Sequence, residues 1–451
     1  MSAIPSLAGL ATYEEAMQPG LGVDENVDRL RRFNYAEGRL YQLCASFMNP
    51  TPEWEVKCSL SLHLYLDGEH SQALRTRVAE LRRPPLYLDK SPDERLTRFF
   101  DEVQVSRDTS ELLTAIFGVV RPALLEAYRR HLGAINPLFD YPTVRILKQI
   151  IAEEEQMIEW GMSALEAVGE NPDWEQHLRR FLSAAGGIDG LEPVDEDTPP
   201  QRATVPFVPE IDPKRDARSG DIYNFNYRAN DVYEDPQADM DERVLALMFK
   251  RFHEMDVPEM MASIIVQTEG KPWEYYRDMG RQLWDEARHS MMGEVWFAKQ
   301  GIDWTRFPNH VGWSMHLNLD RTPLERHIIL YYIEQNLMDG KTGKKLEWQI
   351  AQSAEDEFAT YLQDYDWADE VLHAQIGRRW LKPEVGDVKA LLERGREIAA
   401  RPSPTFELRA SSTEQRDWWP EFVEHALGKP STASQKADNA IVPKFERISS
   451  G

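Results

Sequence analysis

The sequence predicts an all-α protein built from helical bundles, and two observations carry that expectation. Apolar residues recur at three- and four-residue spacing through most of the chain, as in ELLTAIFGVVRPALLEAYRRHL (111–132) and YYRDMGRQLWDEARHSMMGEVWFAKQ (275–300). This is the period of one helix face. Alternating segments of the kind that form strands are scarce. Amphipathic helices with no sheet to cover must bury their apolar stripes against one another, which makes a bundle the default architecture.

In chain order, residues 25–185 are expected to form a first helical bundle. The periodicity then fails across 186–238, which begins GGIDGLEPVDEDTPPQ and stays rich in Pro, Gly and Asp. That is too long for an ordinary loop and reads as an extended linker lying over the surface. Helical periodicity returns in 239–385, the expected second bundle. Residues 386–451 read as a C-terminal extension, partly mobile because its end, GKPSTASQKADNAIVPKFERISSG, is polar and has little to bury.

Composition narrows the function classes. With 76 acidic against 52 basic residues the formal charge is -24, and no dense Lys/Arg block offsets it, so a phosphate backbone is repelled and nucleic acid is not an expected partner. No run approaches the roughly 18 apolar residues of a membrane span. The N-terminal MSAIPSLAGLATYEEAMQPG lacks the basic start and apolar stretch of a secretion signal. A cytoplasmic location away from membranes is expected. Cys44 and Cys58 are the only cysteines, too few for a thiolate cluster, so any metal must be held by oxygen and nitrogen.

Two stretches have that chemistry: WDEARH at 284–289 and WADEVLH at 367–373. Residues three apart share a helix face, so Glu286 with His289, and Glu370 with His373, each make a two-pronged claw. A di-metal carboxylate bundle takes one such E-x-x-H from each of two helices and one Glu from each of two others. Glu254 and Glu286 each lie 16 residues from Gly270, in the turn EGKP, which makes Glu254 the antiparallel partner of the first claw. Glu259, about a turn nearer that end, is the reserve ligand or a supporting group behind it. The second hairpin has one Glu inside an apolar helical stretch, Glu334, located 36 residues before Glu370. Four buried carboxylates need neutralising, and two divalent cations would do it. Carboxylate oxygen and imidazole nitrogen suit iron or manganese, with iron the first choice. Asp285 and Asp369 precede the claw glutamates, and Arg288 lies within the first claw. These three are expected to orient the ligands, since a metal-bound His generally donates its other N–H to a carboxylate or carbonyl.

The set D-E-x-R-H followed by D-E-x-x-H resembles the ferritin-like di-iron carboxylate superfamily. This includes ribonucleotide reductase small subunits, bacterial multicomponent monooxygenases and acyl carrier desaturases. The nearest resemblance is to poorly characterised bacterial ferritin-like proteins, through EARH (286–289), EQNLMD (334–339) and DEVLHAQIGRRW (369–380). It covers about 240–382 and implies a ferritin-like four-helix bundle with Glu254, Glu286, His289, Glu334, Glu370 and His373 as metal ligands. The stretch GKTGKKLEWQIAQSAEDEF departs from the pattern and leaves the start of the fourth helix open.

The first half looks like a degenerate copy of the same bundle. Glu37, the Asp67–His70 claw, Glu126 and Glu154 stand at comparable places, with Met157 in a His position and the Gly of MIEWG where Gly377 falls. A thioether is a poor ligand for a hard metal. His253, His316 and His327 lie near the proposed site in sequence, and Tyr331, Tyr332 and Trp284 lie at spacings that could face it.

The resulting expectation is a non-haem di-iron oxidase or oxygenase. It would hold two Fe ions or a mixed Mn/Fe pair, take O2 as co-substrate and act on a small organic molecule. An electron-donor protein and a homodimer stay open as partners. The competing expectations are an iron-oxidising, metal-handling protein without an organic substrate, and a non-catalytic helical scaffold.

Overall fold

The computed structural model describes residues 4–82, 88–226, 228–338, 340–341 and 343–433. Among them every regular element is a helix, and no strand occurs. Among the described residues no helix is long and apolar enough to cross a membrane. The chain divides into two compact units, one made of Met1–Cys44 with His63–Val208, the other of Ala45–Leu62 with Pro209–Gly451.

This division differs from the one expected. Residues 45–62 belong with the second unit. The 186–238 segment is no uniform linker. Its first part is tied to the first unit by Arg32, whose guanidinium donates to the carbonyls of Ala185, Gly187 and Ile188. Its last part belongs to the second unit, where the short helix Ala229–Glu234 packs against the helix that follows. The C-terminal extension is also integral up to residue 433. Trp418, Trp419, Phe422 and Val423 are fully buried beside Phe249 and Phe297. The remainder of the expected mobile tail, 434–451, and Asp339 lie outside the described residues.

The helices relevant to the first unit are α1 (Val23–Phe47) up to Cys44, α2 (Trp54–Glu80) from His63 onward, α3 (Arg121–Ala134) and α4 (Tyr141–Val168). In the second they are α5 (Met240–His253), α6 (Asp256–Gln267), α7 (Trp273–Gln300), α8 (Pro323–Leu337), α9 (Lys344–Ser353), α10 (Glu357–Val385) and α11 (Val388–Ala399). Helix α6 packs on α7, α7 on α10, α10 on α8 and α8 on α6, a closed ring of four.

Local sequence accounts for the ends of these helices. Thr322 and Glu325 form a reciprocal capping box with Pro323 in the first turn of α8. Asp356 caps α10 by accepting from the Ala359 N–H. Gly301 takes the left-handed conformation that ends α7.

The chain through HEMDVPEM forms two helices, α5 and α6, rather than one. Pro258 has no N–H to offer the carbonyl of Glu254 and its ring clashes with it, so the ladder must stop there. The Val257 N–H instead reaches the Glu254 carbonyl at 2.9 Å, a tighter turn that leaves Glu254 on the kink.

The glycine noted in both halves has one purpose, close packing. A Cβ on Gly377 would lie 2.6 Å from Tyr331 Cδ2, and one on Gly161 would lie 2.0 Å from Phe117 Cγ. Each glycine admits an aromatic ring from a neighbouring helical segment. Tyr331 is thereby explained as packing, as is Tyr332, which lies against Gly395.

Candidate metal centre

The six expected ligands converge in the second unit. Ligand atoms of Glu286, Glu334, Glu370 and His373 lie within 4.8 Å of one another, and so do those of Glu254, Glu286 and His289. Glu286 belongs to both groups. A third group, His289, Asp366 and Glu370, links the same centre through Glu370. The donors come from the α5–α6 kink, α7, α8 and α10. The rings of His289 and His373 stand 6.0 Å apart.

The two aspartates pair with the imidazoles crosswise. His289 Nε2 lies 3.3 Å from Asp369 on the other claw helix, and His373 Nε2 lies 3.4 Å from Asp285. Each claw thus aligns the imidazole of the other. Arg288 donates to both aspartates, 2.8 Å from Asp369, and Arg281 Nε adds a bond to Asp285 at 2.8 Å. With Nε2 held by an aspartate, each ring presents Nδ1 to the glutamates. His373 Nδ1 lies 3.1 Å from Glu286, and His289 Nδ1 lies 3.3 Å from both Glu286 and Asp366.

Two expectations need correction. Glu259 is not behind the ligands. It is locked into a separate buried ion-pair network with Lys57 at 2.6 Å, Arg215, and the Ser314 hydroxyl at 3.0 Å. His253 joins Asp256 and His310 in another buried group. Arg215 lies 3.6 Å from that aspartate, so Arg215 and Lys57 already balance Asp256 and Glu259. His316 bonds to Ser403 and His327 approaches Tyr275, both away from the cluster.

Sequence reasoning missed the protein's own charges. Asp366 sits one turn before Glu370 on α10. Arg251 pairs with Asp366, with Glu347 at 3.1 Å and with Glu254 at 2.8 Å. Lys344, with no exposed side-chain surface, lies 2.9 Å from Asp366 and 2.7 Å from Glu370. Lys250 pairs with Glu347. The i, i+4 spacing of Asp366 and Glu370 was a readable signal. The lysine and Glu347 lie on α9, inside the stretch that departed from the family pattern.

The cluster therefore contains six carboxylates, Glu254, Glu286, Glu334, Asp366, Glu370 and Glu347, facing three cations, Arg251, Lys344 and Lys250. Three negative charges are left over, and titration follows from that surplus. Burial opposes a charge on His289, but Asp366, Asp369 and Glu286 outweigh it and push the imidazole up to about 10. His373 is likewise raised, against burial, by Asp285, Glu286 and Glu370. Burial and then the Glu370 charge push Glu334 well above the usual carboxylate range. Protons on these three groups, and in part on Glu254, which burial pushes up to about 7, would offset the surplus.

Metal binding should displace them. Two divalent cations are expected to release about three protons per chain near pH 7, measurable by calorimetry in buffers of different ionisation enthalpy. Release near zero would contradict this charge accounting. For the metal-free chain the sign runs the other way with pH. The His289 contribution to stability is fully present below its unfolded value of 6.5 and is lost as pH rises through its folded value of about 10. Metal-free protein should therefore lose stability between these limits while metal affinity rises.

The donors fit a pair of hard metal ions. Five buried atoms here, Glu254 Oε2, Glu286 Oε1, His289 Nδ1, Glu370 Oε2 and His373 Nδ1, lack a hydrogen-bond partner. They face one another instead, Glu286 Oε1 against His373 Nδ1 at 3.1 Å and Glu254 Oε2 against His289 Nδ1 at 3.6 Å, without regular hydrogen-bond geometry, an arrangement that cations placed among them would satisfy.

The first unit assembles Glu37, Asp67, His70 and Glu154 within 4.8 Å of one another. Glu126 is not among them. It points outward, 57% exposed, beside Arg130. The third helix instead contributes Arg121, fully buried, which donates to both oxygens of Asp67 at 2.9 and 3.0 Å and to Glu154 at 2.9 Å. His70 lies 3.2 Å from Glu37 and 2.7 Å from Glu153, and against burial these carboxylates push it up to about 10. A guanidinium and an imidazolium supply positive charge at this cluster.

Fold and site together define a class: an all-helical protein whose second unit gathers carboxylate and imidazole donors able to hold metal. Comparison of the chain with protein-family models, curated proteins and solved structures finds no match.

Proposed function

We propose that the second unit is a ferritin-like di-iron centre and that the protein is an O2-activating oxidase or oxygenase acting on a small organic substrate. The observation that carries this reading is the convergence of Glu254, Glu286, His289, Glu334, Glu370 and His373, five of whose buried atoms have no hydrogen-bond partner. Glu254, Glu286 and His289 would hold one metal. Glu286, Glu334, Glu370 and His373 would hold the other. Two ferrous ions, or an Mn/Fe pair, would supply redox chemistry toward O2.

The chain's own contribution is orientation and exclusion of water. Asp285 and Asp369 fix the imidazoles with Nδ1 toward the glutamates, and Arg288 holds the two aspartates together. Of the six ligands, Glu254 has the most exposed side chain, 13% against 2% or less for the others whose exposure decides the comparison. Its place on the kink, outside the regular hydrogen-bond ladder, suits a ligand that changes its mode of binding. Burial of the rest keeps reactive chemistry away from bulk water.

The test is addition of iron(II) to metal-free protein, followed by O2. Two irons per chain and a transient visible absorption on oxygen exposure are expected. Failure to take up iron, or uptake unchanged in His373→Ala, would overturn the reading.

A further inference from the structure

Resting on the reading of the cluster as a di-metal centre, we propose that Lys344 makes its two metal positions unequal. The position of Glu286, Glu334, Glu370 and His373 fills first. The position of Glu254, Glu286 and His289 fills second and more weakly, in competition with the Lys344 ammonium.

The argument is the placement of fixed positive charge. Lys344 and Arg251 are both fully buried, and both contact Asp366, which groups with His289. Arg251 also reaches Glu254 at 2.8 Å. Lys344 takes Glu370 Oε1 at 2.7 Å, whereas Glu370 Oε2 faces His373 Nδ1 at 3.5 Å. One carboxylate is thus divided between a lysine at one end and an imidazole at the other. At the far end Glu334 meets the neutral Gln282 amide at 3.3 Å and the Glu370 carboxyl. A dication arriving there meets one protein cation, Lys344 on the far oxygen of Glu370. One arriving beside Glu254 meets two, Arg251 on that carboxylate and Lys344 on the Asp366 that faces His289, and their fields are little screened in the interior. Glu254 is also the partly exposed ligand, so the weaker position is the one placed to exchange its metal with solution.

Neither the E-x-x-H spacing nor the di-metal reading requires this asymmetry. It follows from α9, which carries Lys344 into the cluster.

The experiment titrates Mn(II) into metal-free full-length protein, with free Mn(II) followed by electron paramagnetic resonance. Two steps are expected, separated by about 100-fold or more, the scale of one unit charge at close range in a medium of effective dielectric near 20. Lys344→Met should tighten the second step more than the first, whose ligand Glu370 the lysine also touches, and so narrow the separation, while Lys344→Arg should retain it. His289→Ala should remove the weaker step and His373→Ala the tighter one, an assignment that does not depend on the lysine variants folding. Equal steps in the unaltered protein would overturn the proposal. So would an unchanged separation in folded Lys344→Met, or loss of the tight step in His289→Ala. No Mn(II) uptake by any form would bring down the di-metal reading, and this inference with it.

Discussion

Glu286→Ala is expected to weaken both proposed metal positions, whereas Glu334→Ala weakens only one. Glu286 alone belongs both to the group with Glu334, Glu370 and His373 and to the group with Glu254 and His289. Its Oε1 lies 3.1 Å from His373 Nδ1 and its Oε2 lies 3.3 Å from His289 Nδ1, so its two oxygens face the two imidazoles. Removing a group that merely orients a ligand costs about 10–100-fold in metal affinity. Loss of a shared ligand should exceed that at both positions. Metal content after dialysis, by elemental analysis, checks this directly. Two metals retained by Glu286→Ala, or both lost equally by Glu334→Ala, would contradict the division into two groups.

Asp369→Asn supplies a finer comparison. The residue touches His289 and Arg288, not a metal position, so only the orientation of one imidazole should suffer. A loss within the 10–100-fold range, confined to the position that includes His289, is expected.

The second large effect belongs to the first unit. Arg121→Met should destabilise the protein by about 3–5 kcal/mol, the cost of breaking a buried ion pair by removing one partner. Arg121 is fully buried and makes three bonds of 2.9–3.0 Å to Asp67 and Glu154, and its loss leaves these carboxylates uncompensated in the interior. Denaturant unfolding monitored by circular dichroism measures it. Adding Asp67→Asn and Glu154→Gln should recover most of the loss, because uncharged partners no longer need the guanidinium. Excess Mn(II) should also partly rescue Arg121→Met, since Glu37, Asp67, His70 and Glu154 stay close enough to share a cation. A stability loss below 1 kcal/mol in the single variant would show that the ion pair does not carry the charge of this cluster.

Much of the fold and the centre was legible because it depends on short-range repetition. A 3.6-residue period marked helices where helices occur, and the i, i+3 spacing of Glu286 with His289 and of Glu370 with His373 set each pair on one face. Counting outward from Gly270 was enough to match Glu254 to Glu286, because antiparallel neighbours joined by a short turn keep that symmetry. The break at Glu254 was readable too, since Pro258 makes it unavoidable. The WWPEF stretch carried enough apolar surface to warn that the C-terminal extension would not be wholly free.

What local patterns could not reveal was which charges would meet across long intervals of chain. Lys344 and Arg251 look like ordinary helix-surface residues, and only the packing of α9 on α10 and of α5 on α9 turns them into the cations of a buried cluster. Glu259 looked like a ligand in reserve until Lys57 and Arg215, far from it in sequence, took its oxygens. Glu126 and Arg121 are five residues apart on α3, and the helix faces the first unit's interior with the arginine rather than the acid. Burial makes each of these assignments consequential. An ionised group inside a protein must find a partner of opposite charge, and the identity of that partner is set by three-dimensional packing, which no spacing rule along one helix contains.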